Sequence, residues 1–325
     1  MITLKEIAAK TGLSVSVISR ALNPVPDRNA RVAEKTRTIV AEAAAELGFR
    51  HNRTAQGLKK GNVPSIGIFL PEYANRLIAD LVIGMSEEAN QSGFPLCFHY
   101  GLTLDSYENF FAHIAAEPQS GIITYPYTLI SDELVARRIN DYHHKGGCVV
   151  ALNTDKLFTG TPVVDIDDYE GGCLAAGRLL ERECGGFISF PPLQRRSQGF
   201  QATIEAAKYV CRMEKDENNA VNAIKEYFHC RSNSAPAGVF ATTDRHAMRL
   251  IARLKSEGFC VGQDVLVIGY DDLCLADLAD PPLTTIHQPF REEGRLAVRT
   301  LLGALSGRKE ASTKLKPTLI VRKSA

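Results

Sequence analysis

The run GLSVSVISRALN sets Ser14, Val15, Ser16, Ser19 and Arg20 close together, with Ile18 and Leu22 four residues apart among them. On a helix those two apolar residues share one face and turn the hydroxyls and the guanidinium outward. Outward donors of this kind suit a polyanion, and the charge balance agrees. Residues 1–60 carry 11 Lys/Arg against 5 Asp/Glu, a net of +6, while the rest of the chain carries 27 against 32, a net of −5. A basic head on a mildly acidic body is the footprint of a head that meets nucleic acid. An ordinary charged helical face would give the same count, so the elements around it have to decide.

A second group of polar residues closes apolar runs: Asn153 and Asp155 after GCVVAL, and Gln288 after LTTIH. Polar groups at strand ends are where an α/β protein gathers a small ligand. Known catalytic patterns are missing. There is no GxxxxGK[ST], GxSxG or HExxH, and no GxGxxG after the first strand-like run. The eight histidines show no ligand spacing, and the eight cysteines form no CxxC pair and read as reduced, small apolar residues. The expectation is a protein that binds without catalysing, with no cofactor and no metal. A helix-turn-helix protein fused to a sugar-metabolising enzyme is the alternative, and turnover of ATP would separate the two.

Three helices must position the head. Thr3 is a candidate N-cap for a helix with Leu4, Ile7 and Ala8 on one face, and Gly12 ends it where a positive φ is needed. Ser14 caps a second short helix from Val15 to Leu22, and a third runs from about Glu34 to Leu47 with Val40, Ala43, Ala44 and Leu47 inward. Helix, glycine turn, helix is a helix-turn-helix whose second helix enters a major groove.

The body alternates continuous apolar runs with helical patterns: SIGIFLP, PLCFHYG, SGIITYP, GCVVALNTD, PVVDID, GGFISFP, AGVFATTD, DVLVIGYDD, LTTIHQP and TLIVR. Such runs between helices form parallel sheets covered on both faces. They exceed one comfortable sheet, so the expected fold class is a small all-α helix-turn-helix head plus an α/β body of two doubly wound parallel-sheet lobes. Asp168 is expected to cap the helix after PVVDID, and Asp244 the helix after AGVFATTD; the cluster Asp165, Asp167 and Asp168 reads as strand edge plus cap. MITLKEIAAK lacks the apolar core of an export signal, and no run approaches the roughly 18 apolar residues of a membrane span, so a cytoplasmic protein is expected, without membrane contact.

The run TLKEIAAKTGLSVSVISRALN, followed by RVAEKTR, LGF and Asn52, resembles the LacI/GalR family of bacterial transcription regulators, and VIGYDDL and PPLTTIHQPF extend the resemblance over essentially the whole chain. The resemblance implies a periplasmic-binding-protein-like body, a homodimeric repressor of a catabolic operon, a double-stranded operator and a small sugar-like effector, a sugar or sugar phosphate, bound between the two lobes. It divides the chain into a DNA-binding domain (1–49), a hinge helix (50–62) and an effector-binding and dimerisation domain (63–325). Lobe 1 is then about 63–163 plus 290–316, and lobe 2 about 164–289 plus 317–325. It puts Val15, Ser16 and Arg20 at base-reading positions, with Ser14, Ser19 and Asn23 near the backbone; Thr3 is counted with the DNA-binding residues, and Arg31, in the loop after Asn23, is placed to reach a phosphate. Arg20 carries most of the direct readout, because a guanidinium pairs bidentately with guanine O6 and N7.

The same resemblance explains an otherwise odd leucine. In NRTAQGLKKG a single large apolar residue follows a glycine in polar surroundings. Leu58 occupies the position of a hinge wedge that enters the minor groove, flanked by Asn52, Ala55, Gln56 and Lys59. An inserted side chain of this kind costs a few kcal/mol of unstacking and gains a bend. A linker with an incidental leucine is the plainer reading. The effector residues implied are Asn75, Tyr125, Asn153, Arg196, Thr243, Asp271 and Gln288. Two departures stand out. The segment from Asn23 to Val32 is longer than the family pattern, and Ala33 replaces a capping serine, at about 1 kcal/mol. No heptad pattern follows Val321, which favours a dimer over a tetramer.

Overall fold

The computed structural model describes residues 4–22, 32–47, 65–72, 76–116, 119–126, 131–154, 158–230 and 235–325. The head holds α1 (Leu4–Thr11), α2 (Val15–Ala21) and α3 (Glu34–Glu46). Ile7, Ile18 and Val40 are fully buried against one another, with Ala43 and Ala44 closing the core. Gly12 takes φ 69°, which ends α1. Ser14 caps α2, its Oγ accepting from the Val17 amide at 3.3 Å. Ala33 supplies only its carbonyl to the amides of Thr36 and Arg37, so α3 starts without a side-chain cap.

The body contains β1 (Ser65–Leu70), α4 (Arg76–Ser92), β2 (Leu96–Tyr100), α5 (Leu104–Ala116), β3 (Gln119–Thr124), α6 (Asp132–His144), β4 (Val149–Leu152), β5 (Val163–Ile166) and α7 (Asp168–Glu181). It continues with β6 (Gly186–Phe190), α8 (Gln194–Ala206), β7 (Cys211–Met213), α9 (Glu217–Cys230), β8 (Ala237–Ala241), α10 (Asp244–Ser256), β9 (Val265–Asp271), β10 (Thr284–His287), α11 (Phe290–Leu305), β11 (Thr313–Leu315) and β12 (Thr318–Ile320). Two six-stranded sheets result, ordered β11-β5-β4-β3-β1-β2 and β12-β10-β9-β8-β6-β7. Among the described residues every strand pairing is parallel except β12 against β10. Each sheet is covered on both faces: α4 and α11 on one side of the first and α5 and α6 on the other, α7 and α8 against α9 and α10 on the second. That double cover is why the strands read as unbroken apolar runs.

Three expectations change. β7 and β11 have no counterpart among the expected strands; both are three-residue edge strands, CRM and TKL, too short and polar to leave a pattern. β12 is antiparallel. The boundary between lobes at residue 163 falls too early, because the buried β5 pairs with β4 and β11 in the first sheet and the chain crosses only after Ile166. The other crossings lie between β10 and α11 and between β11 and β12. Among the described residues no helix is long and apolar enough to cross a membrane.

One packing device occurs in both lobes. A Cβ on Gly84 would stand 1.9 Å from the Arg291 carbonyl oxygen, and one on Gly294 would stand 2.2 Å from that of Leu81, so α4 and α11 touch backbone to backbone. In the second lobe, Gly172 faces the Arg196 carbonyl at 2.1 Å and Gly199 faces that of Tyr169 at 1.9 Å. In all four cases the glycine meets the carbonyl three residues before its opposite glycine. Gly199→Ala is therefore expected to cost about 1–3 kcal/mol by forcing α7 and α8 apart. Gly177→Ala, on α7 with nothing within 4 Å of its Cβ, should instead gain up to about 1 kcal/mol from helix propensity. Urea unfolding of the two variants side by side checks the contrast.

Candidate functional site

The head presents one face of α2. Val15, Ser16 and Arg20 are exposed, Ser19 is half-buried, and Ile18 anchors the opposite side. Arg20 Nε donates to the Ser16 carbonyl at 3.1 Å, and the Ser14 and Ser16 hydroxyls lie 3.0 Å apart. The α2 surface is thus a short row of donors and acceptors around one methyl-bearing residue, which is what base-edge contact requires. Thr3, Asn23 and Arg31, and the hinge residues Asn52, Ala55, Gln56, Leu58 and Lys59, lie outside the described residues.

In the body, Arg196 stands at the start of α8 and gathers groups from several elements. Its Nε donates to Asp168 Oδ1 at 3.2 Å; Nη1 donates to the Thr242 carbonyl at 2.9 Å and to Asp271 Oδ1 at 3.3 Å; Nη2 donates to Gln288 Oε1 at 3.3 Å. The guanidinium lies 3.8 Å from the centre of the Tyr270 ring, whose hydroxyl donates to Asp168 Oδ1 at 2.8 Å. Gln288 Nε2 closes the circuit on Asp271 Oδ1 at 2.8 Å. Burial works to lower the Arg196 pKa, but Asp168 and Asp271 more than reverse it, so the group is held above its usual value and stays charged. Burial pushes the Asp271 carboxyl up to about 6 against the pull of Arg196. Asp271 and Asp272 have φ of 120° and 50°, and Asn153 has 46°. Three non-glycine residues in left-handed backbone at strand ends store strain of the kind found around ligand clamps.

A second group faces the cleft from the first lobe. Glu293, on the first turn of α11, is fully buried, and burial raises its pKa well above the usual carboxyl range; Asn153 opposes the rise and Asp165 and Asp168 add to it. No described group meets hydrogen-bond geometry at either Glu293 oxygen or at the Asn153 amide nitrogen. Tyr125, just past β3, is raised by burial and then by Glu293 and Asp168. Asp165 is matched by Arg195 at 2.7 Å, and Arg195 also reaches Asp167 at 3.7 Å.

A model of the DNA-binding domain of bacterial regulatory proteins of the lacI family matches residues 3–52, and one of a periplasmic binding protein-like domain matches residues 184–325. The ribose operon repressor of Bacillus subtilis is 29% identical over 329 residues, spanning 97% of this chain and 95% of that protein. A LacI family transcriptional regulator from Enterococcus faecalis with bound ribose is 26% identical, with a TM-score of 0.63 over 80% of this chain and 98% of that one. A Lac repressor bound to ONPG in its repressed state shares the fold at 22% identity, with a TM-score of 0.68 over 100% and 99% of the two chains. The head is a lacI-family DNA-binding domain. The chain is a DNA-binding transcriptional regulator with two parallel-sheet lobes behind a helix-turn-helix head.

Of the effector residues expected from that family resemblance, Arg196, Asp271 and Gln288 bond directly to one another, and Tyr125 and Asn153 face the same network across the lobes. Asn75 lies outside the described residues. Thr243 does not project into the network. It is the N-cap of α10, its hydroxyl accepting from the His246 amide at 3.3 Å and pairing with His246 Nδ1 at 2.7 Å, and the neighbouring Thr242 carbonyl reaches Arg196 instead. Two caps also shift by one residue. Asp167, not Asp168, caps α7, which frees Asp168 for Arg196 and Tyr270. Asp244 is not the cap of α10 but a buried acid that accepts from the Leu273 amide at 2.7 Å and from the Thr285 hydroxyl. Gly269 makes room for it, since a Cβ there would stand 2.2 Å from Asp244 Oδ1.

The sequence reading missed Glu293, Asp168 as a ligand of Arg196, and Tyr270. Glu293 had a legible signal. Phe290, Ala297, Val298 and Leu301 form a buried stripe at helical spacing, and Glu293 sits inside that stripe. Tyr270 had none, because any large apolar residue would continue the run VLVIGY equally well.

Proposed function

We propose that this regulator is a homodimeric repressor whose cleft takes an uncharged, sugar-like polyol, and not a sugar phosphate. The observation that carries the ligand class is the charge already spent at Arg196. Its guanidinium is shared among Asp168, Asp271, Gln288 and a backbone carbonyl. A phosphate would have to displace two carboxylates and lie near Asp165 as well. A neutral polyol meets the opposite situation: its hydroxyls pair with the Glu293 oxygens and the Asn153 amide nitrogen, which meet no hydrogen-bond geometry among the described residues, and lie beside Asp271 without opposing its charge. The Bacillus subtilis relative is named for ribose, and the Enterococcus faecalis structure holds it, which supports the same class.

In this reading Arg196, Asp271, Gln288, Asn153, Tyr125 and Asn75 contact the effector. Val15, Ser16 and Arg20 read bases in a cytoplasmic operator complex, and paired Leu58 side chains wedge its centre. Thermal-shift and calorimetric titration of the full chain with neutral pentoses and hexoses, each beside its phosphate ester, tests the ligand class. A neutral sugar should raise the melting temperature, and its phosphate ester should bind at least about tenfold more weakly, the equivalent of about 1.4 kcal/mol. A phosphate ester that binds more tightly than its parent sugar would refute the proposal.

A further inference from the structure

Far from the cleft, on the edge strand of the first sheet, Cys97 and His99 alternate along β2 and so project from the same face. That face lies against α5, whose last turn brings His113 alongside. Cys97 Sγ and His99 Nε2 are 3.5 Å apart, and the His99 and His113 rings stand 5.0 Å apart centre to centre at 55°. One ligand atom from each of the three residues falls within 4.8 Å of the other two. With metal–sulfur bonds of about 2.3 Å and metal–nitrogen bonds of about 2.05 Å, a tetrahedral centre separates sulfur from nitrogen by about 3.5 Å. The Cys97–His99 pair already has that spacing, and the exposed His113 offers a ligand atom within 4.8 Å of both.

We infer that Cys97, His99 and His113 form a binding site for a zinc-type divalent cation. One thiolate and two imidazoles select borderline-soft ions such as Zn²⁺ or Co²⁺ over Mg²⁺ and Ca²⁺, which want oxygen. Phe110, buried and edge-on to the His99 ring at 5.2 Å, walls one side. The side of His113 is open to solvent, so a water completes the tetrahedron. The bound ion ties the edge strand to the helix packed against it. Binding releases the thiol proton, so affinity falls as the solution is acidified.

The test is an anaerobic titration of the full-length, metal-stripped chain with Co²⁺. The expected result is a thiolate-to-cobalt charge-transfer band saturating at one ion per chain and abolished by added Zn²⁺. Cys97→Ser should remove the band, which separates this site from the other seven cysteines. His113→Ala, a change at an exposed side chain, should weaken Co²⁺ binding at least about tenfold while leaving the metal-free melting temperature unchanged. No band in the unmodified chain overturns the inference. So does a band of full strength in Cys97→Ser, or unchanged affinity in His113→Ala. The last arm decides alone if Cys97→Ser fails to fold.

Discussion

Arg196→Ala is expected to destabilise the body by about 3–5 kcal/mol at pH 8 and to abolish the thermal response to the effector. The cause is not the lost attraction alone. Asp168 and Asp271 are held beside the guanidinium at 3.2 and 3.3 Å, and its removal leaves both partly buried carboxylates without that cation. Protonation is the escape open to Asp271. Asp271 already titrates at about 6 with Arg196 present, and without that cation it holds its proton to higher pH. The penalty should therefore shrink as the pH drops towards 5, where a neutral Asp271 replaces a buried charge. Arg196→Lys keeps a charge but loses the planar fork that serves four acceptors, so it should restore part of the stability and little of the binding. Denaturant unfolding at pH 5 and pH 8, with calorimetry on the effector found for the unmodified chain, reads both effects. A stability loss that does not vary with pH would show that Asp271 is not what the arginine compensates.

The second large effect concerns Asp244. Burial pushes its carboxyl up to about 7 from an ordinary 3.8, despite hydrogen bonds from the Thr285 hydroxyl and the Leu273 amide, with Asp271 and Asp272 adding to the rise. The folded chain therefore keeps a proton that the unfolded chain gives up near pH 4. By linkage, this group's contribution is fully present below about pH 4, declines as the pH climbs through the interval, and is gone above about 7. At about 1.4 kcal/mol per pH unit, the span from 3.8 to about 7 comes to about 4 kcal/mol. Asp244→Asn has no proton to lose. Its amide oxygen accepts from Leu273, and its amide nitrogen donates to the Thr285 oxygen. The variant should gain on the unmodified chain by about that amount between pH 4 and pH 8, measured as the difference in unfolding free energy. Parallel pH profiles for the two proteins would dismiss the idea.

The fold was legible because both sheets are covered on both faces, so each interior strand had to be a continuous apolar run. SIGIFL and VLVIGY could be little else. CRM and TKL escaped because an edge strand of three residues is held by backbone pairing that leaves no trace in side-chain type. The cleft was legible where a residue's polarity interrupts its surroundings, as with Gln288 after TTIH. It was illegible where adjacent like residues compete for one job. Between Asp167 and Asp168, or Thr243 and Asp244, spacing alone does not say which side chain turns back to cap the helix and which turns in to the cleft. A one-residue difference in backbone geometry decides it.

The four glycine crossings constrain how this molecule responds to what it holds. Helices that meet backbone to backbone have no side-chain cushion to slide on, so α4 with α11 and α7 with α8 travel as solid blocks. Whatever deformation a guest induces is funnelled into the three strips of chain that join the blocks. Two of those strips carry Asp168 and Gln288, and both side chains grip Arg196. A molecule that bonds to this arginine therefore acts on the segments where the chain passes from one block to the other.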